Sequence, residues 1–312
     1  MVAFILALIG PPPVADGLVV TCARTENQPV FALASDKKFF VCFRNDGSAP
    51  IKLLAEACSW GYEAISFDVV NPTGKSFRIT RKLRIWDKNY PMPVPVNPGA
   101  AVVRGVDLKD GTWEGVPADM EGPAKGWKVR VVLNVAAETY LAQEHFWLGR
   151  RSSAWTAEAD QLVPRKSDGR IIVALARGER DEAIPHLSGA LMVAFSNPGR
   201  VPVTLLSEQC SWGYDALSFE VANPSGKVST LVRAPKEWYR NFPMPVLIPP
   251  GGTVLRPVNF ADHTWQGFPA GVAGETKGCK VRAVLTMANN PEAVKRGYWI
   301  GRQASWWGPL TP

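Results

Sequence analysis

Three histidines are the residues best suited to chemistry in this chain, because an imidazole titrates near neutral pH and serves in acid–base and metal sites. They are His145, His186 and His263, and His263 follows Asp262 directly. The chain has no H-E-x-x-H metal motif, no G-x-S-x-G nucleophile motif and no phosphate-binding glycine loop. An enzyme built on this chain would therefore have to rely on an isolated pair such as Asp262 and His263.

A long internal repeat tests that idea. The stretch CSWGYEAISFDVVNPTGK begins at Cys58 and CSWGYDALSFEVANPSGK begins at Cys210, an offset of 152 residues. The same offset is predicted to hold without a gap between residues 16–155 and 168–307. This period is far longer than the roughly 20–50 residues of a solenoid unit, so each copy is expected to have a complete core.

None of the three histidines is repeated. The matching positions hold Gly297, Ala34 and Gly111. A histidine site essential to both copies would be present in both, so we predict a non-catalytic protein without a cofactor or metal site. An enzyme with its site in one repeat only, using Asp262 and His263, is one alternative.

Alternating apolar and polar residues within each copy predict β-strands. Strands are expected at 18–23, 38–44, 50–57 and in AISFDVV, AVVRGVDL, WKVRVVLNV and HFWLGR. In SFRITRKLRIW the alternation places Phe77, Ile79, Leu83 and Ile85 on one face, with Arg81 among them in an ion pair or at a bulge. Short strands between Gly- and Pro-containing turns predict an all-β fold of two tandem immunoglobulin-like antiparallel β-sandwich domains from an internal duplication, with a barrel as the alternative.

The predicted organisation has four parts. Residues 1–15 contain the apolar run MVAFILALIG, which resembles the core of a signal peptide or its remnant and is too short to span a bilayer. Residues 16–155 form the first repeat, 156–167 a linker, and 168–312 the second repeat. We therefore expect a secreted, periplasmic or cell-envelope location and no transmembrane segment.

Charge and cysteine content restrict the partners and the crosslinks. The net charge of +7 is spread over both halves rather than concentrated in a basic block, so no nucleic-acid partner is expected. Five cysteines leave at least one unpaired. Cys22 and Cys42 lie on two predicted strands of the first repeat, with Ala174 and Ala194 at the matching positions, and a disulfide between them is the candidate crosslink.

Aromatic residues are the strongest candidates for a binding site. Ten of the 12 tryptophans form matched pairs between the copies. The stretches WDKNYPMP and WYRNFPMP place Trp, Asn and a second aromatic in one Pro-rich loop, which indicates a preorganised binding edge. A structural role in the core is the competing interpretation. The candidate ligand-binding residues are Trp86, Asn89, Tyr90, Trp113, Trp238, Asn241, Phe242 and Trp265.

The motif order CSWGYEAISFDVVNPTGK, W-x-K-N-Y-P, PG, W-x-G-x-P and V-R-V-V-L resembles an uncharacterised family of bacterial secreted proteins with one or two immunoglobulin-like domains. At the level of pattern alone, the order of strands and turns is also similar to BsuPI-type proteinase inhibitor domains. The first resemblance brings no known activity. From the repeated aromatics and the apolar run at the start of the sequence we expect a binding or scaffold protein of the cell envelope, with polysaccharide or an envelope protein as partner. The second places a proteinase inhibitor that uses the Pro-rich PMPV loop among the alternatives.

Overall fold

The computed structural model describes residues 17–26, 28, 37–87, 89–120, 126–156, 170–179, 191–239, 241–260, 264–268, 278–289 and 291–310. Within these residues the chain is mostly β-strand with four short helices, which confirms the all-β prediction. The predicted signal segment, residues 1–15, and residues 157–167 of the predicted linker lie outside the described part of the chain.

The first repeat contains β1 (Leu18–Thr25), β2 (Lys38–Asn45), β3 (Ile51–Leu54), α1 (Ser59–Glu63), β4 (Ile65–Val70), β5 (Ser76–Arg81), β6 (Pro93–Val96), β7 (Ala100–Asp107), β8 (Trp113–Glu114), β9 (Lys128–Val135), α2 (Thr139–Gln143) and β10 (Gly149–Ser152). The second contains β11 (Ile172–Gly178), β12 (Leu191–Ser196), β13 (Val203–Leu206), α3 (Ser211–Tyr214), β14 (Leu217–Ala222), β15 (Val228–Arg233), β16 (Pro245–Ile248), β17 (Thr253–Val258), β18 (Trp265–Gln266), β19 (Lys280–Met287), α4 (Pro291–Lys295), β20 (Gly301–Ala304) and β21 (Gly308–Pro309).

Each repeat is a two-layer sandwich. In the first, β1, β2 and β7 form one sheet, and β10, β9, β4, β5 and β8 form the facing sheet in that order. Phe43 of β2, Phe67 of β4 and Val131 of β9 meet in the core between them and are fully buried. The second repeat has the matching arrangement, with Phe195 and Phe219 in its own core. The alternation read in AISFDVV correctly places Phe67 inward.

The two repeats join edge to edge. β1 of the first repeat pairs in parallel with β17 of the second, and β11 of the second pairs in parallel with β7 of the first. These two seams close β1, β17, β12, β11, β7 and β2 into a six-stranded barrel. The predicted picture of separate tandem sandwiches is therefore incomplete, because a barrel is built jointly by the two sandwiches.

Small side chains fill the inside of this barrel. Ala23, Ala101, Ala174, Ala176 and Ala194 are at most 2 % exposed and form a third core cluster that neither repeat can complete alone. The lumen of a six-stranded barrel is narrow, so residues with little side-chain volume fit best. The strands of the shared barrel are buried on both faces, which explains why VVTCA, FFVCF and AAVV are nearly continuous apolar runs.

The offset of 152 residues between the two copies does not hold in the first strand of each copy. Leu18 pairs with Asn45 in β1 and β2, while Ile172 pairs with Ser196 in β11 and β12. Asn45 and Ser196 are not equivalent at an offset of 152, so β1 matches β11 at an offset of 153. Glu26 then corresponds to Glu179, and both face the seam between the repeats. A second correction concerns Thr156, which donates its backbone N–H to the carbonyl of Val129 and so belongs to the first repeat's sheet.

The candidate disulfide does not form. Cys22 lies across from Val41, and Cys42 lies across from Thr21, so the two cysteines are one position out of register. Successive side chains on a strand point to opposite faces, which places Cys22 in the first repeat's core and Cys42 in the barrel lumen. All five cysteines are buried free thiols. Burial raises the pKa of both Cys22 and Cys42 to about 11.

Candidate functional site

Each repeat carries a loop that leaves a five-stranded or six-stranded sheet and ends in a short strand of a separate two-stranded sheet. The first aromatic loop, residues 82–92, joins β5 to β6, and the second aromatic loop, residues 234–244, joins β15 to β16 at equivalent positions. Residues 88 and 240 lie outside the described part of the chain. The sequence had placed six of its eight candidate binding residues in these two loops.

The CSWGY motif forms the floor beneath the first aromatic loop. Cys58 is extended at the start of α1, and its thiol lies 3.1 Å from the carbonyl oxygen of Ala55. Gly61 in α1 is so close to that carbonyl that a Cβ atom would overlap it. The motif in the second repeat behaves in the same way at Cys210 and Gly213. The repeated motif therefore allows close packing of the backbone. Its short helix α1 follows the strand predicted at 50–57, which the structure has as β3, and was not predicted.

The asparagines hold the loops to the helices. The side-chain oxygen of Asn89 accepts a hydrogen bond from the backbone N–H of Ser59 at 3.0 Å, and its amide nitrogen donates to Ser59 Oγ at 2.6 Å. Asn241 makes the same two bonds to Ser211, at the same two distances. Because Cys58 and Cys210 provide no side-chain cap, each asparagine satisfies a free N–H at the start of α1 or α3. Asn89 and Asn241, predicted to bind ligand, thus use their amides to anchor the loops.

Buried arginines stiffen the same floor. Arg81 lies with its guanidinium 3.9 Å from the ring centre of Trp113 and 4.8 Å from that of Tyr62, and it is ion-paired with Glu56. The second repeat reproduces the arrangement with Arg233, Trp265, Tyr214 and Glu208. The predicted ion pair of Arg81 is confirmed, and its position among apolar residues is explained by the two aromatic rings that it contacts.

Trp113 and Trp265 are core residues. Their exposures are 5 % and 4 %, and both pack edge-on or tilted against the central phenylalanines Phe67 and Phe219. Their placement among the candidate ligand contacts is wrong, because β8 and β18 pair with the ends of β5 and β15 and turn these indoles into the core. The competing core interpretation is the correct one for this pair.

Trp86 and Trp238 are partly exposed supports of the loops. Trp86 packs edge-on against Tyr62 with ring centres 5.7 Å apart, and the guanidinium of Arg84 lies 4.8 Å from its ring centre. Trp238 packs on Tyr214 at the same separation, with Lys236 above it. Each indole therefore packs against a tyrosine ring and a cationic side chain, and the ring nitrogen of Trp86 is buried.

The most exposed apolar side chains of the two loops lie at the loop tips. Tyr90 is 63 % exposed and Phe242 is 70 % exposed, as the binding prediction requires. Leu83 and Ile85 are 91 % and 92 % exposed, and Tyr239 is 96 % exposed. The expectation that Leu83 and Ile85 face the core is wrong, because β5 ends at Arg81 and the chain leaves the sheet there.

Comparison of the two copies already indicates that Leu83 and Ile85 face solvent. Leu83 aligns with Pro235 and Ile85 aligns with Glu237 at the offset of 152. A core position does not alternate between isoleucine and glutamate, so the comparison of the two copies marks both positions as solvent-facing. Strand alternation alone misses this, since it carries no information about where pairing stops.

Within the described residues, the remaining candidate chemistry does not assemble into a site. His145 is exposed, while His186, Asp262 and His263 lie outside the described residues. The repeated acids Asp68 and Glu220 form ion pairs with arginines on neighbouring strands. In the described part of the chain, no group of three or more His, Cys, Asp and Glu side chains could hold a metal ion.

Part of each PMPV stretch is hydrogen-bonded in a β-strand. Pro93–Val96 is strand β6 against β3, and the carbonyl of Met92 accepts the N–H of Ala55 at 2.8 Å. Pro245–Ile248 pairs with β13 in the same way. The second half of each PMPV stretch therefore lies in a strand, although Met244 is 41 % exposed.

Comparison of the chain with family models, with curated proteins and with solved structures gives no match. Among the described residues, no helix is both long and apolar enough to cross a membrane.

Proposed function

We propose that this chain is a non-catalytic binding or scaffold protein of the cell envelope that contacts its partner through the two aromatic loops. In this proposal each repeat is an immunoglobulin-like sandwich, and the two repeats arose by internal duplication. The observation that carries the proposal is the outward display of large apolar side chains at the tips of two equivalent, anchored loops. Tyr90 and Phe242 occupy equivalent positions in them.

Exposed aromatic tips on a rigid base favour binding over a purely structural role. A tip that served the fold would bury its ring, as Trp113 and Trp265 do. Asn89 and Asn241 hold each loop in place before any partner arrives. Binding therefore orders few additional groups, which lowers the entropic cost of association.

Two loops on one body also favour an extended or repeated partner. The shared barrel connects the repeats through two strand seams, so the loops are not carried on independently tumbling domains. If both loops reach one partner, the second contact becomes intramolecular and strengthens the first. Polysaccharide and an envelope protein both meet this description, and the rings of Tyr90, Tyr239 and Phe242 offer flat faces for sugars.

The location of the protein rests on its first residues. The apolar run in residues 1–15 supports export from the cytoplasm, and the loops support contact with a surface once there. A proteinase inhibitor remains a second candidate, with the aromatic loops and the first half of each PMPV stretch as its contact region. An enzyme with its site in one repeat is the third candidate, and its residues Asp262 and His263 lie outside the described part of the chain.

The test is retention of the purified protein on insoluble polysaccharides and on cell-envelope material. The loop variant is Tyr90→Ser combined with Phe242→Ser. The matched control is Tyr140→Ser, which removes a ring of similar exposure, 55 %, from α2 and outside both loops. We expect the wild type and the control to be retained and the loop variant to be retained at least about tenfold more weakly. Equal retention of all three, or no retention of the wild type, would remove the proposal.

A further inference from the structure

The first aromatic loop differs from the second in one feature. Leu83 and Ile85 project from it almost fully exposed, whereas the second loop has Pro235 and Glu237 at these positions. Lys82 and Arg84 alternate with the two aliphatic residues and are also exposed. The segment Lys82–Trp86 is therefore an apolar and basic extension that belongs to the first repeat alone.

The backbone presents this segment as a protrusion. Lys82 donates its N–H to the carbonyl of Thr112 at 2.9 Å, which is the last sheet-like bond after β5. No described residue pairs as a strand with residues 83–86. In an extended chain alternate side chains share a side, so Leu83 and Ile85 point together while Arg84 points with Trp86, over whose ring it lies.

The charged residues of the segment itself, Lys82 and Arg84, are basic, while the nearby acids Glu56, Asp110 and Glu114 contact Arg81 and Thr80. Lys82 and Arg84 have no carboxylate partner among the described residues, in contrast to Arg78 and Arg81, which pair with Asp68 and Glu56. Asp87 is the exposed acid that follows the segment within the loop. The segment therefore attracts an anionic surface while offering two aliphatic side chains to an apolar phase.

We propose that Lys82–Trp86 is a membrane-contact segment that inserts Leu83 and Ile85 into the outer part of an anionic phospholipid bilayer. This inference rests on the proposed binding function of the loops and names the partner of the first one. Aliphatic side chains lack the flat ring that stacks on sugars, so they do not fit the polysaccharide contact assigned to Tyr90. A fluid hydrocarbon layer accepts protruding side chains without a shaped pocket, and cations beside them match anionic headgroups.

An aromatic side chain beside the segment suits the boundary between the hydrocarbon layer and water. Tyr90 is exposed on the same loop. Amphipathic rings concentrate at the boundary between hydrocarbon and water, where an apolar body and a polar edge are both satisfied. Since only two aliphatic residues insert, the contact is expected to be reversible and to weaken as salt screens the basic residues.

The test is flotation of the full chain with vesicles of phosphatidylcholine alone and of phosphatidylcholine mixed with phosphatidylglycerol. The variant Leu83→Ser combined with Ile85→Ser removes the apolar pair at constant charge, and Lys82→Ala combined with Arg84→Ala removes the charge. Val232→Ser is the matched control, because Val232 is an exposed aliphatic residue of the second repeat, 47 % exposed. All three changes are at exposed positions, so unchanged melting temperatures verify folding.

We expect the wild type and Val232→Ser to float with anionic vesicles and the apolar-pair variant to float at least about tenfold less. The charge variant should lose the preference for anionic over neutral vesicles. Wild-type protein that does not float, or an apolar-pair variant that floats equally well, overturns the inference. Retention on polysaccharide or envelope material without vesicle binding would overturn the membrane contact and leave the proposed function standing. Failure of both experiments would remove both proposals.

Discussion

Glu26 of the first repeat and Arg256 of the second form a buried ion pair across the seam of the shared barrel. Arg256 Nε lies 2.7 Å from Glu26 Oε1, and their side chains are 1 % and 5 % exposed. The guanidinium also donates to the carbonyls of Gly213 and Leu206. Arg104 and Glu179 form the equivalent pair at the other seam. Each repeat thus supplies one acid to the other and receives one in return.

Removal of Glu26 should destabilise the whole chain. Glu26→Ala removes the nearer of the two carboxylates beside the buried Arg256, since Glu208 lies 4.0 Å from its Nε. Breaking a buried pair costs up to about 3–5 kcal/mol. Lys38→Ala is the control, because it breaks the more exposed pair with Asp107, which contributes less than about 1 kcal/mol. Urea denaturation of both variants provides the comparison. Similar losses in the two would mean that the seam pair is not a major support.

A single repeat should not persist as a folded monomer. A fragment comprising residues 16–156 would expose the lumen side of three strands, including Ala23, Cys42 and Ala101, and would leave β1 and β7 with open edges. Open strand edges with apolar surface promote association. Size-exclusion chromatography with light scattering should show dimers or aggregates, and mixing with residues 168–312 should produce a one-to-one complex. A stable monomeric fragment would contradict the shared barrel.

The buried thiols predict a loss of stability in alkaline solution. Burial raises the pKa of Cys42 from its ordinary value of 9.0 to about 11, so above pH 9 the unfolded chain releases a proton that the folded chain retains. This favours the unfolded state by about 1.4 kcal/mol for each pH unit between 9 and 11 and has no effect below that range.

Cys42→Ala isolates this contribution. The equivalent lumen residue in the second repeat is Ala194, so the barrel already accommodates alanine at this position. Urea titrations should show that the variant gains on the wild type as the pH rises from 9 towards 11, with Cys22 responsible for part of the remaining slope. If the difference in unfolding free energy between the two proteins is the same at all pH values, burial does not raise the pKa of Cys42. A thiol reagent at neutral pH should label neither cysteine until the protein unfolds.

The floor of the aromatic loops can be tested at Gly61. Gly61→Ala would force a methyl group into the carbonyl of Ala55, so α1 or the turn before it must move, at a cost of about 3 kcal/mol or more. Gly74→Ala meets only open space and has the left-handed φ of +86°, so it should cost about 1–2 kcal/mol. Thermal denaturation compares them. A loss at Gly61 no larger than that at Gly74 would argue against close packing beneath the loop.

The repeated residues identified much of the candidate site from the sequence, but not which of these residues are exposed and which are buried. Tyr90 and Phe242 were predicted as contacts and are exposed, while Trp113 and Trp265 were predicted as contacts and are buried. The difference depends on whether a short strand such as β8 pairs with the end of β5, a contact between residues more than 30 positions apart. Periodicity along the chain has no information about such pairing.

The sequence by itself determined the local alternation of the strands, the matching environments of the two copies and the absence of a repeated histidine site. These properties depend on neighbouring residues and on comparison of one copy with the other. Only the tertiary structure decided that the repeats share a barrel, because edge pairing between β1 and β17 joins residues some 230 positions apart. The small size of the lumen alanines is explained by the narrow barrel. The partner of Glu26 is Arg256 in the other repeat, and no local sequence pattern indicates this pairing.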